Sequence, residues 1–220
     1  GNPMRPLPER RSRGYDKPSP LRSAMPMNAL FHHDVIMAPL GSGSRGNCTY
    51  VGTSTRGVLI DCGLSTKQIL LRMGEAGLAT AHIDGVLITH EHGDHVASAR
   101  VLERKIQKLQ GAPVPFWMTR GTWEGIRPQS RPAMVEEVTP GVLFQVGGYT
   151  IEPVAVPHDT ADPVAYSVCI GDVRATVLTD LGRTTNVLIR LLAETDLALV
   201  EFNHDKERLL DGSYPWSLKQ

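Results

Sequence analysis

The sequence has few cysteines and no long hydrophobic run. Its 220 residues contain three cysteines, Cys48, Cys62 and Cys169, without the short spacing of a metal-binding pair. Because strand-like sequence flanks each of them, we expect reduced, buried thiols in a cytoplasmic protein. No apolar stretch reaches the roughly 20 residues that a membrane span needs, and no secretory signal is evident, so we expect no membrane association.

The formal net charge of zero conceals an uneven distribution. Residues 1–26 contain six of the 16 prolines and six Lys or Arg against two acidic residues, so this segment carries +4 and the remainder −4. A Pro/Arg-rich segment with few aromatics is typical of disorder. We expect a disordered basic extension over 1–26, either an arm for nucleic acid or sequence upstream of a start at Met25 or Met27. Residues 27–220 are expected to form one folded domain.

The clearest local signal is a histidine-rich stretch, residues 90–95, with the sequence HEHGDH. It follows Val86–Thr89, a β-branched apolar run that predicts a buried strand. Side chains two apart on an extended segment point the same way, so His90 and His92 can share one metal ion. Gly93 permits a sharp turn that brings the two residues after it towards a second ion. A solvated turn is the alternative, but such turns seldom follow a buried strand.

Further candidate site residues lie where predicted strands end or begin. The glycine-rich loop Gly41–Cys48, which includes Ser44 and Asn47, has amide groups able to hold an anion, although many such loops bind nothing. Asp61 ends a predicted strand, where it suits either hydrogen-bonded support of the histidine stretch or a simple turn. The remaining candidates each follow a predicted strand and are His158, Asp180, Glu201 and His204.

Periodicity predicts strands interspersed with helices, without internal repeats. Residues 96–110 are expected to form one helix, with Leu109 on its inner face and Glu103 on its outer face. Three later segments predict an antiparallel meander, and they are 134–138, 142–146 and 149–156. This order suits an α+β (α/β) protein with two sheets packed together and helices outside.

The stretch at residues 90–95 resembles the metallo-β-lactamase superfamily signature H-x-H-x-D-H. Downstream and upstream motifs of the superfamily occur in the expected order, at Asp61–Gly63, His158 and Asp180. The resemblance covers residues 35–220 and implies an αββα sandwich. It also implies two divalent metal ions, Zn or Mn, that bind a bridging hydroxide for attack on the substrate.

The resemblance implies a ligand set for each ion. The first metal takes His90, His92, His158 and Asp180. The second takes Asp94, His95 and Asp180. Asp94, His158 and Asp180 are implied to be catalytic as well. The resemblance also implies residues that support the metal ligands or contact the substrate, and they are Asp61, Ser44, Asn47, Glu201 and His204.

Three segments narrow the resemblance to one branch, the YycJ/WalJ proteins: Gly41–Cys48, Thr179–Gly182 and Glu201–Asp205. This branch implies a cytoplasmic hydrolase acting as a 5′→3′ exonuclease on DNA. A small-molecule hydrolase of the glyoxalase II or lactonase kind, or an inactive truncated form, is the alternative, because the fold alone does not determine the substrate.

The sequence departs from the family pattern near its end. Family members supply one more histidine in a Gly-His-Leu-Ser-like motif after Glu201–Asp205, and residues 206–220 contain no such motif. We expect a C-terminally incomplete domain whose second metal site lacks one ligand, with substitution by His204 or natural loss as the alternatives.

Overall fold

The computed structural model describes residues 30–32 and 34–201. The predicted extension at 1–26 and the candidate His204 lie outside these residues. Within the described part of the chain, no helix combines the length and apolar character needed to cross a membrane.

Seven strands form the first sheet, in chain order. They are β1 (Leu30–His32), β2 (Val35–Gly41), β3 (Cys48–Gly52), β4 (Arg56–Ile60), β5 (His82–Leu87), β6 (Phe116–Met118) and β7 (Val135–Glu137). Neighbours from β1 to β4 are antiparallel, and those from β4 to β7 are parallel. The carboxyl ends of β4 to β7 therefore lie at one edge of the sheet.

Five strands form the second sheet, in the order β12-β11-β10-β9-β8. They are β8 (Phe144–Val146), β9 (Tyr149–Ala155), β10 (Val164–Ile170), β11 (Val173–Leu178) and β12 (Leu197–Val200). All neighbours are antiparallel except β11 and β12. The helices are α1 (Thr66–Glu75), α2 (Gly93–Val96), α3 (Ala99–Gln110), α4 (Arg120–Gly125) and α5 (Asn186–Ala193), with a 3-10 turn at Pro128–Ser130.

Local sequence explains where the longer helices begin and end. The Ser65 hydroxyl accepts the N–H of Gln68 at the start of α1, and Thr185 accepts the N–H of Leu188 at the start of α5. Such caps satisfy amide groups that have no partner inside the helix. Gly111 adopts the left-handed conformation, with φ of 71°, and ends α3.

The two sheets pack face to face and helices cover their outer faces. Strand alternation divides the apolar side chains: Leu87 of β5 lies between the sheets, whereas Val86 lies under the helices. The outer core of the first sheet includes Ile69 of α1 and Leu102 of α3. The outer core of the second sheet includes Leu188 of α5. These three cores confirm the predicted αββα sandwich.

The predicted meander is wrong in its first segment. β7 (Val135–Glu137) does not pair with β8 but joins the first sheet as a parallel neighbour of β6. The two later segments do pair, as β8 and β9. The sequence of a short strand with polar neighbours does not indicate which strand it pairs with. Here α4 and the 3-10 turn lie between β6 and β7 in the chain.

The predicted helix over 96–110 also differs in detail. The helix is interrupted between α2 and α3, so the main helix begins at Ala99. Leu109 is 59% exposed, whereas Glu103 is 6% exposed, the reverse of the prediction. The Glu103 carboxylate accepts the backbone N–H groups of Ala133 and Met134, at 2.9 and 2.7 Å. A charged side chain is buried here because a segment distant in sequence supplies its donors.

Candidate metal centre

Three imidazole rings meet at the carboxyl edge of the first sheet. His90 follows β5, and its Nε2 lies 3.1 Å from Nδ1 of His92. His158 follows β9 of the second sheet, and its Nε2 lies 3.3 Å from the same His92 atom. The structure thus brings together three predicted ligands from two sheets, with ring nitrogens arranged as in a histidine metal site.

A second group shares His90 with the first. Its other members are His95 and Asp180, and one ligand atom from each residue lies within 4.8 Å of the others. Asp180 Oδ2 lies 2.7 Å from His95 Nε2 and 3.9 Å from His90 Nε2. Asp94 Oδ2 lies 3.8 Å from His95 Nε2. Asp180 therefore faces His95 and His90, and His90 is the residue that the two groups share.

Two backbone hydrogen bonds hold the contributing segments together, the first between the two sheets and the second within the second sheet. Val164 at the start of β10 donates its N–H to Thr89 O at 3.0 Å, and Gly182 donates to Pro157 O at 2.9 Å. Asp180 has a positive φ of 52°, unusual for a residue other than glycine. Such backbone strain is characteristic of functional sites.

Asp61 supports the histidine stretch through hydrogen bonds. Its carboxylate accepts the N–H of Thr89 at 2.9 Å and lies 2.8 Å from Nδ1 of His95. The Thr89 hydroxyl bonds the same carboxylate and lies 3.0 Å from Nδ1 of His90. Asp61 is 1% exposed and also has a positive φ, 62°. The carboxylate thus orients two rings at once, the arrangement typical of support around metal ligands.

The glycine-rich loop packs on the other side of His95. Asn47 donates its backbone N–H to Asp94 O at 2.7 Å, and its Nδ2 lies 2.9 Å from His95 Nε2. Its Oδ1 accepts the N–H of Gly43, so the same side chain also shapes the loop. Ser44 is exposed on this loop. Asn47 is therefore at the site as predicted, and Ser44 faces solvent.

Glu201 lies at the end of β12, beside the strand that leads to Asp180. Its N–H donates to Leu178 O at 3.0 Å, one residue before the Thr179–Asp180 turn. Two residues that sequence reasoning did not single out also belong to the site. They are Thr89, which joins Asp61 to two rings, and Glu91, whose carboxylate contacts the loop after His158.

The electrostatics of the cluster favour metal ligation at His90 and His158, whereas His95 would have to release a proton to bind an ion. Burial and neighbouring imidazoles lower the pKa of His90 to about 2, and burial lowers the pKa of His158. Burial of His95 opposes its charged form, but Asp61 and Asp180 outweigh this and raise its pKa to about 10. Contact with His95 lowers the pKa of Asp180. Neutral imidazoles and ionised carboxylates are the forms in which these side chains bind metals.

One buried atom tests whether the residues fit a cation. Asp180 Oδ2 is buried, and although it is close to His95 Nε2, no donor in the described residues has hydrogen-bond geometry to it. A buried carboxylate oxygen is costly without a partner. Since ring nitrogens of His90 and His95 face the same oxygen, a cation between them would satisfy all three. The donor set fits a divalent metal.

Comparison with known proteins gives the family. A family model described as Beta-lactamase superfamily domain matches residues 56–215. Exodeoxyribonuclease YycJ of Bacillus anthracis is 31% identical over 184 residues, which cover 82% of this chain and 67% of that protein. Exodeoxyribonuclease WalJ of Streptococcus pneumoniae is 36% identical over 183 residues, with the same coverage, 82% and 67%.

Solved structures share the fold at low identity. Zn(2+)-bound PqqB from Methylobacterium extorquens aligns with a TM-score of 0.58 and 19% identity over 76% of this chain and 66% of that one. The metallo-beta-lactamase fold protein YhfI from Bacillus subtilis aligns with a TM-score of 0.54 and 15% identity, over 72% of this chain and 64% of that one. The chain therefore belongs to the metallo-β-lactamase superfamily, whose fold binds divalent metal ions, and within it to the branch that contains YycJ and WalJ.

Proposed function

We propose that the chain is a metal-dependent phosphodiesterase that acts as a 5′→3′ exonuclease on DNA. The observation that carries the proposal is the convergence of His90, His92 and His158 with the His95–Asp180 pair at one edge of the sandwich. The names of the relatives, both exodeoxyribonucleases, support the substrate class. The buried free thiols of Cys48 and Cys62 support the cytoplasm as its compartment.

The proposed ligand sets build on the two groups of side chains, with Asp180 added to the first and Asp94 taken in place of His90 in the second. His90, His92, His158 and Asp180 would hold the first ion, and Asp94 and His95 with Asp180 the second. Mixed imidazole and carboxylate ligands suit Zn or Mn. When bound, the ions would activate a water molecule and neutralise charge on the scissile phosphate.

The chain's own residues prepare this site in three ways. Asp61 faces Nδ1 of His95, which leaves Nε2 directed at Asp180. The positive φ of Asp180 turns its carboxylate towards the rings at the end of β11. The Asn47–Asp94 backbone bond holds the glycine-rich loop against the histidine stretch, and amide groups of such a loop are suited to a phosphate oxygen.

The second ion should bind more weakly than the first. In the described residues, its terminal ligands are Asp94 and His95, whereas the first ion has three histidines. Loss of one ligand lowers affinity, since even supporting contacts are worth about 10–100-fold. Metal titration by isothermal calorimetry should therefore give one tight site and one weaker site.

A substrate panel tests the proposal. The metal-loaded chain is incubated with 5′-phosphorylated single- and double-stranded DNA, the same DNA with a 5′-hydroxyl, matched RNA, a thioester and a lactone. We expect mononucleotide release from 5′-phosphorylated DNA, abolished by His90→Ala. Hydrolysis of the thioester or lactone with DNA left intact would instead establish a small-molecule hydrolase of the glyoxalase II or lactonase kind.

A further inference from the structure

Glu91 lies between two of the ligand histidines but is not one of the proposed ligands. Its Oε1 accepts the backbone N–H of Ala161 at 2.9 Å. Ala161 lies three residues after His158, in the segment that joins β9 to β10. One side chain therefore connects the segment that carries His90 and His92 with the segment that carries His158, 70 residues apart in sequence.

The position of Glu91 is restricted by α4. A Cβ atom on Gly125 would lie 2.5 Å from Glu91 Cγ and 2.9 Å from its Cβ and Cδ, so the stem of Glu91 rests directly on the backbone of α4. The same helix holds the other segment, because the Thr119 hydroxyl that caps α4 donates to Asp162 O at 2.8 Å. Packing thus confines the Glu91 carboxylate to the side of Ala161.

The segment after β9 forms backbone hydrogen bonds at its two ends and the hydrogen bond to Glu91 between them. Val156 donates to Pro163 O at 3.1 Å, and Val164 donates to Thr89 O at 3.0 Å. Residues 157–163 between these bonds have no regular secondary structure. The Ala161 N–H therefore offers a fixed point near His158, where regular pairing does not determine the backbone.

The second carboxylate oxygen points to a role beyond local packing. Glu91 Oε2 is buried and finds no hydrogen-bond partner in residues 34–201. A buried oxygen of this kind is unfavourable, and its presence in a native protein requires an explanation. The hydrogen bond from Ala161 to Oε1 and the packing against Gly125 hold Glu91 in this position.

We propose that Glu91 is a positioning residue, which holds His158 in ligand geometry by fixing the segment around Ala161 through its hydrogen bond. The inference rests on the proposed metal site. The rings of His90, His92 and His158 already lie at ligand spacing in the structure. A side chain that fixes this arrangement before the ion arrives removes an ordering cost from metal binding.

The test compares one substitution that keeps the hydrogen-bond acceptor with one that removes it. In Glu91→Gln the amide oxygen can still accept from Ala161, whereas Glu91→Ala removes the acceptor. Zn²⁺ affinity of the full 220-residue chain is measured by competition with a chromophoric chelator. We expect affinity to fall about 10–100-fold in Glu91→Ala and to stay within roughly threefold of the parent in Glu91→Gln.

Two further measurements separate this role from general destabilisation. The visible spectrum of the Co²⁺-loaded chain reports ligand geometry, and we expect Glu91→Ala to change its band positions and Glu91→Gln to preserve them. Glu124→Ala, which removes an exposed glutamate from the same helix, should leave both affinity and spectrum unchanged.

Failure of the inference can be told from failure of the metal site. If His158→Ala lowers Zn²⁺ affinity and Glu91→Ala does not, the site stands and the role of Glu91 is wrong. Equal losses in Glu91→Gln and Glu91→Ala would also overturn it, since charge rather than the hydrogen bond would then matter. If His158→Ala itself binds Zn²⁺ as tightly as the parent, the proposed site is wrong.

Discussion

Asp61 lies 2.8 Å from Nδ1 of His95, and the two residues are 34 positions apart in sequence. Both side chains are buried, so the contact is shielded from water. The Asp61 carboxylate accepts the Nδ1–H of His95, and Nε2 of the same ring faces Asp180. The contact therefore selects which ring nitrogen is presented to a metal ion.

Replacement of Asp61 by Asn should weaken metal binding by about 10–100-fold. Asn tolerates the positive φ of 62° and can still accept the N–H of Thr89, but its amide group cannot fix the His95 tautomer in the same way. Zn²⁺ competition measures the change. Asp84→Asn, a carboxylate at the opposite end of β5 that pairs with Arg56, is the matched control and should alter stability alone. Unchanged Zn²⁺ affinity in Asp61→Asn would show that the contact does not orient the ligand.

Replacement of His158 by Ala should remove metal and nuclease activity together. The substitution leaves His90 and His92 as the remaining histidines of the first group, and two imidazoles bind an ion far more weakly than three. Metal content after dialysis and DNA hydrolysis are measured on the same samples. His82→Ala changes an exposed histidine at the start of β5 and should keep both properties. Full metal retention in His158→Ala would remove this residue from the site.

Replacement of Gly63 by Ala should destabilise the metal-free protein. A Cβ atom at this position would overlap the backbone carbonyl of Asp94, which cannot move without disturbing the histidine stretch. Overpacking of this kind costs about 1–3 kcal/mol, and the thermal midpoint should fall by roughly 2–12 °C. Gly74→Ala in α1 is the control: no atom lies within 4 Å of its Cβ position, so a gain of about 0.5–1 kcal/mol is expected. A midpoint that rises equally in both variants would refute the close approach at Gly63.

Metal removal should lower thermal stability. The proposed ligands come from both sheets, so a bound ion stabilises the folded state and has little affinity for the unfolded chain. At a free Zn²⁺ concentration about 100 times the dissociation constant, the stabilisation is roughly 2.7 kcal/mol. Calorimetric scans with Zn²⁺ and with chelator measure this shift, and in His158→Ala the difference between the two scans should be smaller than in the parent. A chelator-insensitive midpoint in the parent would argue against an ion that joins the sheets.

Much of the site could be predicted because its residues occupy a dense local pattern. Alternating histidines after a β-branched run indicate ligands at a strand end, and the structure brings them to the same edge as Asp61 and Asp180. Their role as metal ligands stays a prediction, which the substitutions above test. Glu91 was not singled out, because a glutamate between two histidines looks like a solvated side chain until the segment around Ala161 is placed beside it.

The errors in the fold also come from contacts distant in sequence. β7 is three residues long and its partner β6 cannot be identified from alternation alone. Glu103 has the helical position of a surface residue, and only the backbone of Ala133 and Met134 explains its burial. Leu109 falls on the apolar stripe of α3 but is the second-last residue of the helix and is 59% exposed. Local periodicity predicts a helix or strand and its faces. Strand pairing and burial depend in addition on contacts with residues distant in sequence.

The division of the ligands between two sheets has a consequence during synthesis. His90, His92 and His95 are synthesised soon after β5 of the first sheet, but Asp180 lies two residues after the end of β11, 90 positions after His90. At about 5–20 residues per second, that interval lasts roughly 5–20 s. The nascent chain therefore carries three histidines without their partners for several seconds. A metal ion can therefore meet the full proposed ligand sets only after strands of both sheets have been synthesised.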